Sequence, residues 1–366
     1  MKNFFSLSMF HIRRHGFTLV ELLVVIGIIA IIAGFSYMSL SGFKNRRSFD
    51  LDAEKIVEGI RNAQNSSIVQ EQGAAWQIVF ANTITTNVSF EIRKATATSS
   101  ITGKTTLSSG SFSNLSSGAT TSIVFEARTG KPSDGVAHTL VFKRKNATDT
   151  YIITVSVQGV ITRRFETGLA MGLLFDEATS TLSYDISGTG NNATLYNTTW
   201  STTGCRSGSC LYFNGNPSAY ASFGTTQFGS TQGTISLWVK ATGVSTDSFL
   251  FYHQNAGENL NIRPNNPSRF IVDIDDGSYY AYAAPYEGEW VHYVLTYDNQ
   301  AGISFFYRNG AAVSSSTYAT NGTLLFGSTA RIGYSTGSGF YGLIDDVRVY
   351  DHALTQQEVQ SLYASY

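Results

Sequence analysis

The chain has 366 residues, 42% of them hydrophobic and 14% charged, with a formal net charge of −1. That length allows two ordinary domains plus a membrane segment, and the balanced charge excludes a global electrostatic footprint for nucleic acid. With 20 Tyr, 24 Phe and 34 Gly beside only 5 Pro, the composition points to sheets and turns rather than a disordered chain. The two cysteines, Cys205 and Cys210, lie close together, and no Cys/His pattern resembles a zinc site.

The strongest local signal is N-terminal. Residues 17–40 read FTLVELLVVIGIIAIIAGFSYMSL, with Glu21 the only charge. As a helix rising ~1.5 Å per residue this run reaches about 36 Å, enough to cross a hydrocarbon core of ~30 Å. Arg13 and Arg14 precede it, which by the positive-inside rule places the short leader in the cytoplasm. Two features argue against an ordinary signal peptide or signal anchor. The run has no A-x-A-like site at its far end, and a lone carboxylate stands five residues into it. A carboxylate at membrane depth is costly and marks a functional position.

The segment RRHGFTLVELLVVIGIIAIIAG resembles the prepilin N-terminal motif of type IV pilins and type II secretion pseudopilins. The resemblance implies a cut between Gly16 and Phe17 by a prepilin peptidase/methylase, and N-methylation of Phe17. It also implies that Glu21 pairs with the new N-terminal amine of a neighbouring pilin or pseudopilin subunit. A glycine before the cut lets the backbone enter a narrow protease groove. Opposite charges in a low dielectric relieve each other's burial cost.

Lys44, Arg46 and Arg47 mark the far membrane edge. Beyond them Leu51, Ile56, Ile60, Ala63 and Ser67 recur near one helical face, with Asp52, Glu54, Glu58 and Arg61 mostly elsewhere. No proline occurs before Pro132, so one helix from Phe17 to about Glu71, roughly 80 Å long, is expected. Strand-like alternation follows at 76–80, 88–92, 123–125, 138–142 and 151–157, while 95–121, rich in Ser, Thr and Gly, reads as a loop with a short strand. Helix first and small antiparallel sheet after is the pilin plan. The segments FEARTGKP and VQGVITR, with turns at Gly130 and Gly159, resemble the H-type minor pseudopilins of type II secretion.

Near Thr167 the pattern restarts. Alternating segments such as CLYFNGNPSAYASFG, GTISLWVKA and GEWVHYVLTYDNQAGISFFYRNG are separated by Asn-Gly, Asp-Gly and Gly-rich turns, and helical periodicity is missing until 355–363. This predicts an all-β sandwich of about 200 residues. These phrases, and above all the closing GLIDDVRVYDHALTQQEV, resemble the laminin-G-like, concanavalin A-like jelly roll of bacterial surface proteins. The resemblance implies a module that binds carbohydrate or surface protein and often holds calcium. Asp345 in the closing motif and Asn214 in YFNG are the candidate ligands, the alternative being that Asp345 and Asp346 cap or solvate a strand. The expected fold is thus an α+β pilin-like domain, with a long transmembrane helix and a small antiparallel sheet, followed by an all-β jelly-roll sandwich. The expected bounds are leader 1–16, transmembrane helix 17–40, pilin-like domain 41–165 and jelly roll 166–366.

No enzyme is expected. None of the six His has a partner at ligand or triad spacing, and His292 in WVHYVLTYD reads as a strand residue. Asp273 and Asp275 share a strand face but have no glutamate beside them, and 275–277 reads as a hairpin turn. Tyr279, Tyr280, Tyr282 and Tyr286 crowd one hairpin, where they either stack on sugars or fill strand pairs. A Cys205–Cys210 disulfide is expected because the second domain faces an oxidising compartment and the four intervening residues, Gly208 among them, can turn the chain back. Closing so short a loop contributes roughly 2 kcal/mol in the chain-entropy model. The alternative is a pair of reduced thiols at a strand start.

Three functional readings follow: a minor pilin or pseudopilin displaying an adhesive module, a secretion pseudopilin whose extra domain contacts cargo or channel, and a membrane-anchored binding protein that never polymerises. Glu21 favours the first two, since a plain anchor gains nothing from a buried carboxylate. All three place a single-pass protein in the bacterial inner membrane, with the N-terminus cytoplasmic and the globular domains outside. Intact-mass analysis of mature protein is expected to show loss of residues 1–16 and one added methyl group; an N-terminus at Met1 in membrane-extracted protein refutes this. Glu21→Ala is expected to insert normally and to fail in filament incorporation.

Overall fold

The computed structural model describes residues 19–70, 73–82, 88–96, 104–115, 118–145, 147–243, 248–255, 258–266, 269–275, 277–281, 288–318 and 322–366; along 20–43 it describes the side chains of Leu23, Val24 and Ile26 alone. Gly16 and Phe17 lie outside the described residues. Glu21 lies in the first helix, with its side chain outside them. Among the described residues no helix is long and apolar enough to cross a membrane. The chain divides into two units between Asp50 and Leu51.

The first helix, α1, runs Leu19–Ile68. It stops slightly short of the expected end because Gln70 turns left-handed at φ 51°. In the second unit its buried stripe is Asp52, Ile56, Ile60, Ala63 and Ser67, and Leu51 is 45% exposed. This corrects the expected face: the stripe begins on Asp52, not Leu51. The physical reason is local. Asp52 accepts hydrogen bonds from the Ser108 and Ser109 amides and from the Ser109 hydroxyl, and pairs with Lys55 at 2.8 Å. Burial alone would raise its pKa; Lys55 and the Ser109 donors hold it below the usual carboxylate value.

Eight short strands follow: β1 (Trp76–Asn82), β2 (Val88–Lys94), β3 (Thr105–Leu107), β4 (Gly110–Phe112), β5 (Thr120–Phe125), β6 (His138–Arg144), β7 (Thr150–Val155) and β8 (Ile161–Glu166). They form two antiparallel sheets, ordered β3-β2-β1-β5 and β4-β6-β7-β8. The segment expected to hold one short strand therefore supplies β3 and β4, one to each sheet. Each is anchored by a single buried side chain, Leu107 or Phe112, in an otherwise polar run too short to show alternation. Ring contacts carry the core from sheet to sheet: Phe90 to Phe80, Phe80 to Phe112 at 5.4 Å, and Phe112 to Phe142 at 5.6 Å. Gly59 brings the helix down onto this core, since a Cβ there would lie 2.5 Å from the Phe90 ring. The two turns singled out in the sequence meet under the helix. Gln64 Nε2 donates to Gly130 O at 2.8 Å and to Gly159 O at 2.7 Å.

The rest of the chain is a two-sheet sandwich and one helix. Its strands are β9 (Leu169–Leu173), β10 (Leu182–Ser183), β11 (Ala193–Tyr196), β12 (Thr199–Ser201), β13 (Cys210–Asn214), β14 (Tyr220–Gly224), β15 (Gln232–Gly243), β16 (Phe251–Asn255), β17 (Glu258–Asn266), β18 (Arg269–Asp275), β19 (Gly277–Ala281), β20 (Val291–Asp298), β21 (Ile303–Arg308), β22 (Ala311–Thr317), β23 (Thr329–Ile332) and β24 (Tyr341–Tyr350). One sheet is ordered β10-β11-β14-β23-β16-β17-β18-β19. The other is β12-β13-β24-β15-β20-β21-β22, with β9 also on β24. Alternate residues of both sheets meet in one core, as where Phe270 of β18 packs at 4.8 Å on Tyr293 of β20. Ile274 pairs with Gly277, so the expected hairpin turn at 275–277 is present. The final helix, α2 (Gln356–Ala364), starts at a capping box of Thr355 and Glu358.

Only Thr167 and Gly168 separate β8 from β9, and a buried ionic cluster secures that join. Glu166 Oε1 lies 2.7 Å from Arg164 Nε and 3.2 Å from Arg348 Nη1, and Glu166 Oε2 accepts from the Tyr350 hydroxyl at 2.6 Å. Arg348, 1% exposed, also grips Asp346 at 2.7 Å. Arg164 donates to Ser365 Oγ at 3.0 Å. Burial pushes the Glu166 pKa up, against Arg164 and Tyr350, which pull it down. The arginine and tyrosine of the closing DDVRVY motif thus face the last strand of the preceding domain. Removing one member of such a cluster costs about 3–5 kcal/mol by leaving charge buried and unpaired. Arg348→Met is expected to lower the Tm of detergent-solubilised protein by on the order of 10 °C. Adding Glu166→Gln should cost less than the sum of the two single changes. Thermal melting of the variants checks both, and an unchanged Tm for Arg348→Met contradicts the assignment.

Candidate functional site

Direct cross-strand pairing places residues on one side of a sheet. Across the first sheet of the sandwich the register runs Thr194, Ser222, Arg331, Tyr252, Asn261, Asp273 and Ser278. Their neighbours along the strands, among them Phe223, Ile332, Phe251, Leu260 and Val272, point the other way, into the core. The row therefore lies on the outer face. Tyr196 pairs with Tyr220 two positions along the same strands and stacks on it at 4.7 Å and 25°.

The rings continue across the sheet. Tyr220 meets Tyr334 at 5.9 Å, Tyr334 meets Tyr252 at 4.6 Å, and Tyr252 meets Phe249 at 4.9 Å. The Arg331 guanidinium sits 4.7 Å from the Tyr334 ring centre and 5.3 Å from that of Tyr220. Next along, Arg263 lies 5.6 Å over Phe249 and 3.6 Å from Asp273, which also accepts from Ser278 Oγ at 2.6 Å. The arrangement is a strip of half-buried and exposed tyrosines, ended by the buried Phe249 ring, with hydroxyls at its margin. Such a strip offers apolar faces for stacking and polar edges for hydrogen bonds.

Sequence reading did not find this strip. Its members come from β11, β14, β16, β23 and the segments beside them, so no local motif holds them. The available signal was alternation: Tyr220 in AYASFG and Arg331 in TARIGY both take outward positions between buried neighbours. The hairpin tyrosines that did stand out divide. Tyr279 packs on the core, while Tyr280 is 47% exposed beneath the Arg269 guanidinium at 3.8 Å. Tyr282 and Tyr286 lie outside the described residues. His292 fills a buried position of β20 as expected; it is hydrogen-bonded to Ser236 at 2.8 Å, and burial pushes its pKa down to about 3.

Cys205 and Cys210 form a disulfide, with their Cα atoms 5.4 Å apart. The loop it closes turns its amides on buried carboxylates. Arg206 N and Ser207 N donate to Asp345 Oδ2 at 3.0 Å, and Ser209 N donates to Asp176 Oδ1 at 3.0 Å. Gly208, at φ 46°, leaves no room for a Cβ beside Asp176. Burial pushes Asp176 up to about 7 and raises Asp345 well above the carboxylate range, with Asp346 adding repulsion. Asn214 is exposed and opposes Tyr341, four positions along β24 from Asp345; at ~3.3 Å per residue that is about 13 Å. The two candidate calcium ligands do not fit one ion site. Among the described residues no group of three or more His, Cys, Asp or Glu side chains is arranged to hold a metal. Asp185 in YDISGTGNN is likewise committed, accepting from Gly172 N, Ser187 N and Oγ, Thr189 Oγ1 and Asn191 N.

The two-sheet sandwich defines a jelly-roll domain, and residues 212–360 match the concanavalin A-like lectin/glucanases superfamily. Residues 12–37 match the prokaryotic N-terminal methylation motif, so the chain joins a prepilin-type N-terminus to a concanavalin A-like domain. Among solved structures it is similar to domain 4 of a GH43 extracellular arabinanase from Geobacillus stearothermophilus in complex with arabinotriose, at 20% identity over 53% of this chain and 98% of that one, with a TM-score of 0.45. It is also similar to the binding domain of botulinum neurotoxin serotype G, at 16% identity and a TM-score of 0.46, covering 54% of this chain and 51% of the toxin domain. This chain thus spans about half of that toxin domain. Comparison with curated proteins gives no match.

Beneath Tyr252, His253 is buried and its Nε2 accepts from Gly327 N at 2.9 Å, which requires a neutral ring. Burial lowers its pKa to about 4. The unfolded chain therefore takes up this proton first as pH falls below about 6.5, and the stability it contributes is lost progressively toward pH 4. His253→Gln, which preserves an acceptor, is expected to remove on the order of 1–3 kcal/mol of that acid sensitivity. Tm measured against pH for both proteins checks this, and parallel curves contradict it.

Proposed function

We propose that the chain is a minor pilin or pseudopilin subunit that carries a carbohydrate-binding jelly roll on its outer end. On this reading the leader is removed after Gly16, Phe17 is methylated, residues 17–40 hold the protein in the inner membrane before assembly, and Glu21 pairs with the amine of an adjacent subunit. Residues 41–165 form the pilin-like body. Its partners are the prepilin peptidase/methylase, the bilayer, other subunits and a glycan; the jelly roll binds and does not catalyse.

The observation that carries the reading is the pairing of the methylation motif with an outward strip of tyrosines on a concanavalin A-like sandwich. A plain anchor has no use for the motif, and a plain structural subunit has no use for the strip. The subunit is scarce and stands near the filament tip. A sandwich of about 200 residues has a radius of gyration of roughly 16 Å, and a two-residue join leaves little slack to fit one beside every closely packed helix.

Gold labelling of a tag in the sandwich is expected to mark filament ends, with the protein copurifying with sheared filaments in small amounts. Labelling along the shaft at the density of the main subunit contradicts the tip position. Absence from filaments altogether contradicts the subunit reading and returns the membrane-anchored binding protein.

A further inference from the structure

The charges along the outer strip are not equivalent. Arg263 faces Asp273 at 3.6 Å, and Asp273 is occupied further by Ser278. Arg331 has, among the described residues, no carboxylate within ion-pair distance. It stands near the middle of the strip, against both Tyr220 and Tyr334, opposite Tyr252 on one side and Ser222 on the other. A guanidinium held by rings keeps its full charge, because a ring quadrupole attracts a cation without neutralising it.

The chemistry of the guanidinium favours a planar anion. Tyr220 and Tyr334 meet edge to face at 84°, and the half-buried guanidinium lies 5.3 and 4.7 Å from their ring centres. Edge-on approach is the arrangement in which a guanidinium makes two parallel hydrogen bonds to a planar carboxylate. The outward surfaces of these tyrosines supply stacking area for the ring that bears that carboxylate, and Ser222 and Thr194 supply hydroxyl partners for ring hydroxyls. From β11 to β16 the strip crosses three strand spacings, about 14 Å, which suits a short oligosaccharide better than a monosaccharide.

We infer that this face binds an acidic oligosaccharide, with the Arg331 guanidinium taking the carboxylate of a sugar ring that rests on the outward surface of the Tyr220–Tyr334 pair. The inference rests on the reading of the face as a carbohydrate-binding surface.

The test uses full-length protein in detergent and matched probes. Oligogalacturonate, oligomannuronate and sialyllactose are compared with the methyl esters of the first two and with lactose. At least one carboxylated probe is expected to bind tenfold or more tightly than its neutral counterpart, with the preference shrinking as salt is raised. Arg331→Ala should abolish the preference, Arg331→Lys should restore it in part, and Arg269→Ala, outside the strip, should leave it unchanged, all three melting with the wild type. Equal binding of acids and neutral counterparts, or a preference that survives Arg331→Ala, overturns the acidic-sugar inference and leaves the carbohydrate reading standing. No binding of any probe overturns both.

Discussion

A carboxylate buried at a domain junction has to be answered by cations placed from both sides, and much of this molecule is arranged around that requirement. Glu166 is the last residue of the β8 strand and is 5% exposed. Its partners Arg348 and Tyr350 come from β24, the strand that β9, β13 and β15 all use as a template. The charge that ends one domain is therefore satisfied only when the central strand of the next is in place. With a join of two residues, the folding of the sandwich and its seating on the preceding sheets become one problem. Arg164 and Ser365 extend the same dependence to the far end of the chain.

The sequence made most of the architecture legible where a periodic pattern was long or a turn had unmistakable chemistry. β1, β2, β6 and β7 were readable because each alternates over several residues, and α2 because Thr355 and Glu358 announce its start. What escaped was whatever depended on a distant partner. Asp52 reads as a solvent-facing helix residue until Ser108 and Ser109 are brought beneath it. β3 and β4 are too short and too polar to show a period, and exist because neighbouring strands complete them. Gly130 and Gly159 were recognisable as turns, yet nothing local tells that Gln64 would bind both.

The outer strip shows the same limit more sharply. Tyr196, Tyr220, Tyr252, Arg331 and Tyr334 become neighbours only once the order β11-β14-β23-β16 is fixed, and that order is not the order of the chain. The residues that drew attention in the sequence were instead those gathered in one hairpin, of which Tyr279 turned out to serve the core. Likewise Asp345 stood out in the closing motif, but its described bonds are to the disulfide loop, a partner more than a hundred residues earlier in the chain.

The β9–β24 ladder has a mechanical meaning. Any pull between the sandwich and the sheets that precede it passes through β9, the strand that follows the two-residue join. β9 lies antiparallel to β24 over Leu169–Leu173. Tension along that strand therefore loads its rungs together rather than peeling them one at a time. The Glu166 and Arg164 contacts share the strain before it reaches the first rung. Force applied along β9 is thus passed directly to β24, the strand on which β13 and β15 also pair.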